Sequence, residues 1–506
     1  MRSTARPEGA GASDARSLWH ATAPPVPVDA DLPGDCDVVV AGGGLAGIAT
    51  ALELTERGRR VVVVEAERLG ARTTGGTTGK LSLLQGTMYS DILRHAGDEV
   101  LRAYRTGNAA GQEWMRAHLT GTPGAIERRD AVTYATTSDG ERALDAEAEA
   151  LEAAGVEVER HRGEHIGLPF EVRGALRLPD QDQLHPLFAL AALTARLRRR
   201  GGVVVEGCRV RDAEVDGERV RVRTDRGDIV SGRLVLATGT PILDHGRMSS
   251  RLSVSREFAA AYRLPDGVRP PKAMYLSVDP APRSLRSARG LDGELVLVAA
   301  GDPFTPGRED DTRERLDALD RWVTESYPRA ERITWWAAQD YQTTSAIPHA
   351  GPVPGTDERI LAATGFAKWG MTNAAAAGIA IAGLVDGEEP EWAERLREHR
   401  IGVRDVVEAV GLNASVAGEM VRGWVGPGDD GHGARVERRD GEMVAETSVA
   451  GARCAVSAVC THLGGIVRWN TAERTWDCPL HGSRFAPDGR VIEGPATDDL
   501  APASSH

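Results

Sequence analysis

Between Asp37 and Glu65 the sequence runs through an apolar stretch, a glycine-rich turn, an amphipathic stretch, a second apolar stretch and an acid. Few folds accept that order. Val38-Val39-Val40 reads as a buried strand. Gly42-x-Gly44-x-x-Gly47 follows. The first glycine makes the tight turn. The second lets the backbone around Leu45 and Ala46 approach a pyrophosphate, and the third lets helix and strand pack closely. Leu45, Ile48, Ala49 and Leu52 share one helical face, and Gly58 stops the helix. Val61–Val64 forms a second buried strand ending at Glu65 and Ala66. Glu65 stands 23 residues after Gly42, where an acid binds ribose hydroxyls. The helix N-terminus adds roughly +0.5 charge toward the phosphates. Alone the glycine pattern is weak. With both strands, the helix and the acid in place, it specifies a dinucleotide site on a Rossmann-type α/β fold.

Two look-alike motifs do not qualify. Gly426-Pro427-Gly428-Asp429-Asp430-Gly431 repeats the glycine pattern, but no helix follows smoothly and its aspartates would repel phosphate. It reads as a loop. Thr74–Lys80 resembles a P-loop, yet it lacks the required leading glycine, and Leu81 stands where Ser or Thr is needed.

The chain has 506 residues, which at about 150 per domain gives two to four domains. The net charge of −13 argues against nucleic-acid or anionic-membrane partners. The longest apolar stretch, near Ala374–Val385, is too short for a membrane span. Residues 1–34 form an N-terminal tail without periodicity or an apolar signal core, docking through Trp19. Five cysteines make no disulfide framework. The expected location is cytoplasmic. Only Lys80, Lys272 and Lys368 are lysines among the 61 basic residues, so each retained lysine stands out. Residues 90–180 read as mostly helical, Leu184–Leu197 as a leucine-rich helix opened by His185, and 207–236 as a hairpin or meander. Residues 250–345 alternate like antiparallel strands, with one helix at Thr312–Tyr327.

Leu236-Ala237-Thr238-Gly239 and Thr364-Gly365-Phe366-Ala367-Lys368-Trp369-Gly370-Met371-Thr372-Asn373 complete a second pattern. With GGGLAG and Glu65, they make residues 35–395 resemble the glycine/D-amino-acid oxidase (DAO) superfamily of FAD-dependent oxidoreductases. The resemblance implies an FAD-binding domain with an antiparallel-sheet substrate domain, the latter mainly within 90–180 and 250–345. It places Thr73, Thr74, Thr77, Thr78 and Lys80 in the loop that meets FAD, and Val210 and Gly239 near it. Gly365, Lys368, Trp369, Gly370, Met371 and Thr372 would lie along the flavin. No His or Cys occurs in residues 69–90 or 359–375, so the expected FAD is non-covalent. Tyr341, His349 and Lys368 are the candidate catalytic residues.

Cys460-x-His462 and Cys478-x-x-His481 are separated by 15 residues. Tetrahedral zinc would accept such a set. The flanking CTHLGG and WDCPLHGSRF instead resemble a Rieske domain, which implies that two cysteines hold one iron and two histidines the other of a [2Fe–2S] cluster. This domain is set at 426–506, all-β and small, after a linker at 396–425. Gly465 and Leu480 stand where respiratory Rieske proteins carry a further disulfide. Ser483 is retained, and Phe485 stands where high-potential relatives often have Tyr. Cys36, Cys208 and Cys454 read as buried structural thiols.

The pair of cofactors implies a flavoprotein dehydrogenase for amine oxidation. A small amine or amino-acid-like substrate would reduce FAD, and the iron–sulfur centre would pass electrons singly to an external one-electron carrier such as a ferredoxin. Alternatives are a flavin reductase fed through the Rieske cluster and an O2-using amine oxidase.

Overall fold

A four-valine strand can survive only where both faces are covered, and that is where the chain puts it. The computed structural model describes residues 15–163, 166–243, 245–399, 403–425, 433–449 and 451–503. Residues 1–14 of the expected 1–34 tail, and the Gly426–Gly431 loop, lie outside them. Asp35–Ala41, Val61–Val64, Val203–Val205, Gly227–Gly239 and Ile360–Thr364 form a parallel array. Its order runs His349–Pro352, Ile360–Thr364, Gly227–Gly239, Asp35–Ala41, Val61–Val64, Val203–Val205, and the outermost His349–Pro352 strand is antiparallel. Val38 and Val40 enter one core with Ile48 and Leu52 of the helix Leu45–Glu56. Val39 and Ala41 enter another with Val62, Val64 and the meander of Val210–Asp216, Arg219–Thr224 and Gly227–Gly239.

The alanine-rich helix Gly370–Asp386 is buried along nearly its whole length. Its small residues permit close approach. A Cβ on Gly378 would stand 2.9 Å from Thr50 N, and one on Gly111 would stand 2.3 Å from Thr372 O.

A second, nine-stranded sheet carries Glu331–Thr343, Leu252–Arg263, Leu295–Phe304, Arg283–Arg289, Met274–Ser277, Ile126–Ala135, Gly174–Leu184 and Lys80–Leu81 in that order, with Glu159–Arg162 beside Gly174–Leu184. It is mainly antiparallel, with Met274–Ser277 parallel to Ile126–Ala135. Here the mostly helical reading of 90–180 needs correction. The helices Met88–Leu119 and Ser138–Ala153 are present, but two long strands belong to the same stretch. Burial along both strands runs in blocks, with the four consecutive charged residues Glu127–Asp130 in the first, so no alternation marks them.

The tail docks through Trp19, which is buried and donates from its indole to Thr77 O at 2.7 Å. His185 caps the leucine-rich helix by accepting from Phe188 N at 3.2 Å, and burial pushes its imidazole down to about 4.

Chain packing separates two units. One contains Arg16–Pro303 and Leu319–Leu412; the other gathers Phe304–Ala318 with Asn413–His506. The second unit holds a three-stranded sheet (Ala434–Arg439, Glu442–Val449, Ala452–Ser457) and a four-stranded one (Arg468–Asn470, Thr475–Asp477, Arg484–Phe485, Val491–Glu493). The expected linker, 396–425, takes in the end of the helix Glu391–Arg397 and the helix Val403–Val425. Among the described residues no helix is long and apolar enough to cross a membrane.

Candidate functional site

The dinucleotide turn admits nothing but glycine at two of its positions. Gly42 has φ +110, and a Cβ there would stand 2.4 Å from Ala237 O; one on Gly47 would stand 1.9 Å from Gly42 O. Glu65 Oε2 accepts from Gly43 N at 2.7 Å, and its Oε1 accepts from Glu67 N at 2.8 Å, across the half-buried Ala66. Burial nevertheless raises the carboxyl's pKa. Leu45 N, at the start of the helix that continues through Ala46, donates to Thr74 Oγ1 at 2.9 Å. The structure thus brings the glycine turn, Glu65 and Thr74 to one place. A cradle that a Cβ would fill, a helix N-terminus and a buried acid suit the pyrophosphate and ribose of a dinucleotide.

The threonine loop is tied down from behind. Thr73 Oγ1 donates to Gln339 O at 2.6 Å, Thr77 Oγ1 accepts from Gly79 N at 3.1 Å, and Thr78 O accepts from Arg286 Nη1 at 2.6 Å. Lys80 turns to the second sheet: its Nζ donates to Tyr275 O at 2.7 Å and to Ser284 Oγ. Val210 is buried at the start of its strand.

A second convergence lies where residues 341–343 run beside 365–368. Ala367 N donates to Tyr341 O at 3.0 Å, and Gln342 bridges to Phe366. The Tyr341 ring lies against Gly239, 3.4 Å from where its Cβ would be, and the hydroxyl accepts from Gln339 Nε2 at 2.7 Å. Thr364 Oγ1 donates to Gly239 O at 2.5 Å, and His349 pairs in register with Thr364. Burial lowers the His349 pKa, and among the described residues its buried Nε2 has no hydrogen-bond partner. Tyr341 and Thr364 thus both reach Gly239, and His349 lies on the next strand out, beside Thr364. At Gly365 a Cβ would press on Thr343.

Lys368, with positive φ, points elsewhere. Its Nζ pairs with Glu257 Oε2 at 2.5 Å, and its N donates to Asp340. Burial lifts Asp340 to about 6. Sequence reasoning missed both acids. Glu257 lies 111 residues from Lys368 and carries no local signal.

Trp369 and Met371 are buried at the start of the Gly370–Asp386 helix. Thr372 Oγ1 donates to Asn108 Oδ1 at 2.5 Å, Gln85 Nε2 donates to Thr372 Oγ1 at 3.1 Å, and Tyr104 Oη donates to Gln85 Oε1 at 2.7 Å. This buried network, also unforeseen, fixes the helix start.

In the second unit Cys460 and Cys478 hydrogen-bond each other. The His462 and His481 rings lie 5.2 Å apart at 85°. The Cys478 contact, with the N–H groups of His462 and Leu463 and the Ser483 hydroxyl, holds the Cys460 thiol below its usual range. Backbone N–H groups of Leu480 and His481 face the Cys478 sulfur. The loops thus offer two thiols and two imidazoles, the donor set that a Rieske [2Fe–2S] cluster divides between its irons. A Cβ on Gly465 would meet the Leu480 side chain at 2.6 Å. An aliphatic contact thus joins the loops where the respiratory disulfide would be. Phe485 is fully buried. Cys36 and Cys208 are buried as expected, but Cys454 is half-exposed.

The class follows from these two sites: a flavin-dependent oxidoreductase joined to an iron–sulfur domain. The family description DAO, FAD dependent oxidoreductase, matches residues 37–384, and Rieske [2Fe-2S] domain matches residues 429–503. The chain belongs to the DAO family of FAD-dependent oxidoreductases, with FAD as its flavin cofactor and a [2Fe–2S] cluster in its Rieske domain.

Among relatives, it is 32% identical over 482 residues to the Rieske 2Fe-2S iron-sulfur protein YhfW of Bacillus subtilis (strain 168), itself named only provisionally, covering 92% of this chain and 93% of that one. L-amino acid deaminase from Proteus myxofaciens superposes with TM-score 0.58 at 18% identity, over 76% of this chain and 95% of that one. Glycine oxidase from Bacillus cereus ATCC 14579 does so with TM-score 0.58 at 19% identity, over 72% and 98%. These two likenesses concern the fold.

Proposed function

We propose that this flavoprotein is a dehydrogenase of small amines or amino-acid-like compounds whose electrons leave singly through the Rieske cluster to an external carrier such as a ferredoxin. When bound, FAD accepts a hydride from a C–H next to nitrogen, and the cluster carries one electron at a time. The observation that carries the reading is the presence in one chain of a complete dinucleotide cradle and a paired Cys/His ligand set. A two-electron acceptor coupled to a one-electron carrier suits export of electrons better than their direct delivery to O2. The fold neighbours, an L-amino acid deaminase and a glycine oxidase, support the substrate class.

The chain's own residues divide the work. Gly42, Gly44 and Gly47 admit the pyrophosphate, and Glu65 takes the ribose. The N-terminus of the Gly370–Asp386 helix, fixed through Thr372, favours negative charge at the ring edge it faces. Tyr341 and His349 line the substrate side, whereas Lys368 is turned to Glu257. Cys460 and Cys478 take one iron, His462 and His481 the other. The oxidoreductase domain spans 35–395 and the Rieske domain 426–506.

The test is anaerobic mixing of the reconstituted protein with a panel of amines and amino acids, followed by absorbance and electron paramagnetic resonance (EPR). The expected result is flavin bleaching, then the signal of a reduced [2Fe–2S] cluster, with re-oxidation faster by ferredoxin than by air. Faster re-oxidation by air would refute the dehydrogenase reading. A cluster potential well below that of the flavin would reverse the route.

A further inference from the structure

We propose that residues 304–318 are a strap that completes the cluster site: Gly307 and Arg308 grip Pro479 and thereby position the loop bearing Cys478 and His481. In chain order these residues fall inside the oxidoreductase region, between the strand Leu295–Phe304 and the body of the helix Thr312–Ser326. They pack instead with Asn413–His506.

Gly307 has φ +68, and a Cβ there would stand 2.6 Å from Asp477 O and 2.8 Å from Pro479 N. Backbone therefore lies directly on backbone, across Cys478. Arg308 Nε donates to Pro479 O at 2.9 Å, and its Nη1 donates to Ser415 Oγ at 2.7 Å. Ser415 belongs to the helix Val403–Val425, whose Trp424 Nε1 donates to Gly464 O at 3.2 Å. One guanidinium thus joins the second cluster loop to the helix that holds the first.

A buried knot anchors the far end. Thr312 Oγ1 donates to Asn470 Oδ1 at 2.7 Å and accepts from Ala472 N at 3.0 Å. Thr471 Oγ1 donates to Asp311 Oδ1 at 2.7 Å. Asn470 Nδ2 in turn donates to Asp477 Oδ2 at 2.9 Å, one residue before Cys478.

Two effects follow. The strap fixes ligand spacing from outside the Rieske sequence, as outer-shell contacts do at metal centres. Arg308 also places a permanent cation beside the loop. Reduction adds negative charge to the cluster, so a nearby cation favours the reduced form. Arg308 is a positioning residue; it is not a ligand. Its role in turnover rests on the proposed electron route, whereas its effect on the cluster does not.

The experiment uses the full chain, loaded with FAD and cluster, carrying R308A, R308K or G307A. Iron and acid-labile sulfide, the EPR spectrum after dithionite and the midpoint potential from mediated titration are read, with flavin content as the control. R308A is expected to lower the equilibrium constant for cluster reduction up to tenfold, equivalent to about 59 mV for one electron, and to change the EPR line shape. R308K keeps the charge and recovers most of the potential. G307A retains flavin and loses at least half its iron. An R308A protein with the wild-type potential and spectrum overturns the strap. Wild-type protein whose cluster stays oxidised when substrate bleaches the flavin, while R308A still shifts the dithionite-reduced spectrum, overturns the electron route and supports the strap.

Discussion

Lys80 is buried against the second sheet, its Nζ hydrogen-bonded to two uncharged oxygens, and its charge state is open to direct test. Burial, aided by repulsion from Arg286, lowers its pKa from 10.5 to about 7. A neutral amine has two N–H donors, and two acceptors are present, Tyr275 O and Ser284 Oγ. The unfolded chain binds the lysine proton up to about pH 10.4, whereas the folded chain releases it near 7. Between those values the unfolded state holds more protons, so stability rises with pH; below 7 the full penalty of a buried charge remains. The gap of about 3.5 units corresponds to roughly 5 kcal/mol at about 1.4 kcal/mol per unit. Between pH 7.5 and 9.5 the share is about 2.5 kcal/mol. The perturbation is Lys80→Met, which removes the titration but leaves the other groups in place. It also strands the two acceptors, a cost that does not change with pH and therefore cancels. Urea unfolding of both proteins at the two pH values gives the double difference. The wild type should gain about 2.5 kcal/mol over K80M on going to pH 9.5. With three lysines in the chain, the Nζ signals can also be assigned by substitution and followed by NMR. Parallel stability curves, or a Lys80 signal titrating near 10.5, would refute the reasoning.

Other perturbations probe the two cofactor sites. Arg484 is buried between Asp477, Glu473 and Glu493 at 3.1, 3.0 and 3.3 Å; Arg484→Ala strands these acids and should destabilise the Rieske unit by about 3–5 kcal/mol, seen as loss of cluster absorbance at lower urea. Gly47→Ala puts a methyl 1.9 Å from Gly42 O, so the purified protein should contain no flavin; a yellow G47A protein of wild-type flavin content would contradict the cradle. Acid or heat denaturation should release free FAD into the supernatant, and a flavin-bearing peptide after digestion would show a covalent link instead. His481→Ala removes one of two imidazoles facing each other at 5.2 Å, and should abolish the Rieske EPR signal while leaving FAD content unchanged.

Legibility depended on range. The first βαβ unit was readable because its rules are local: glycine where a Cβ meets a carbonyl, valine where a strand is covered on both faces, an acid at the strand end. The cluster ligands were readable because each pair lies within one short loop. The strands Ile126–Ala135 and Gly174–Leu184 were missed because they pair with each other and with Met274–Ser277, and sequence spacing says nothing of partners so remote. The scarcity of lysine drew attention to Lys80 and Lys368 but could not say what either touches.

By itself, then, the sequence determined the identity of the turns: which backbone positions must be glycine, which side chains can ligate iron, and where helices and parallel strands begin. Tertiary structure alone decided the partners. It set Glu257 beside Lys368, Trp19 under Thr77, and residues 304–318 against the loop of Cys478. The reason is physical. A turn's conformation depends on sterics within a few residues, whereas a contact between distant segments depends on how whole sheets and helices bury their apolar faces, which no single stretch of chain encodes.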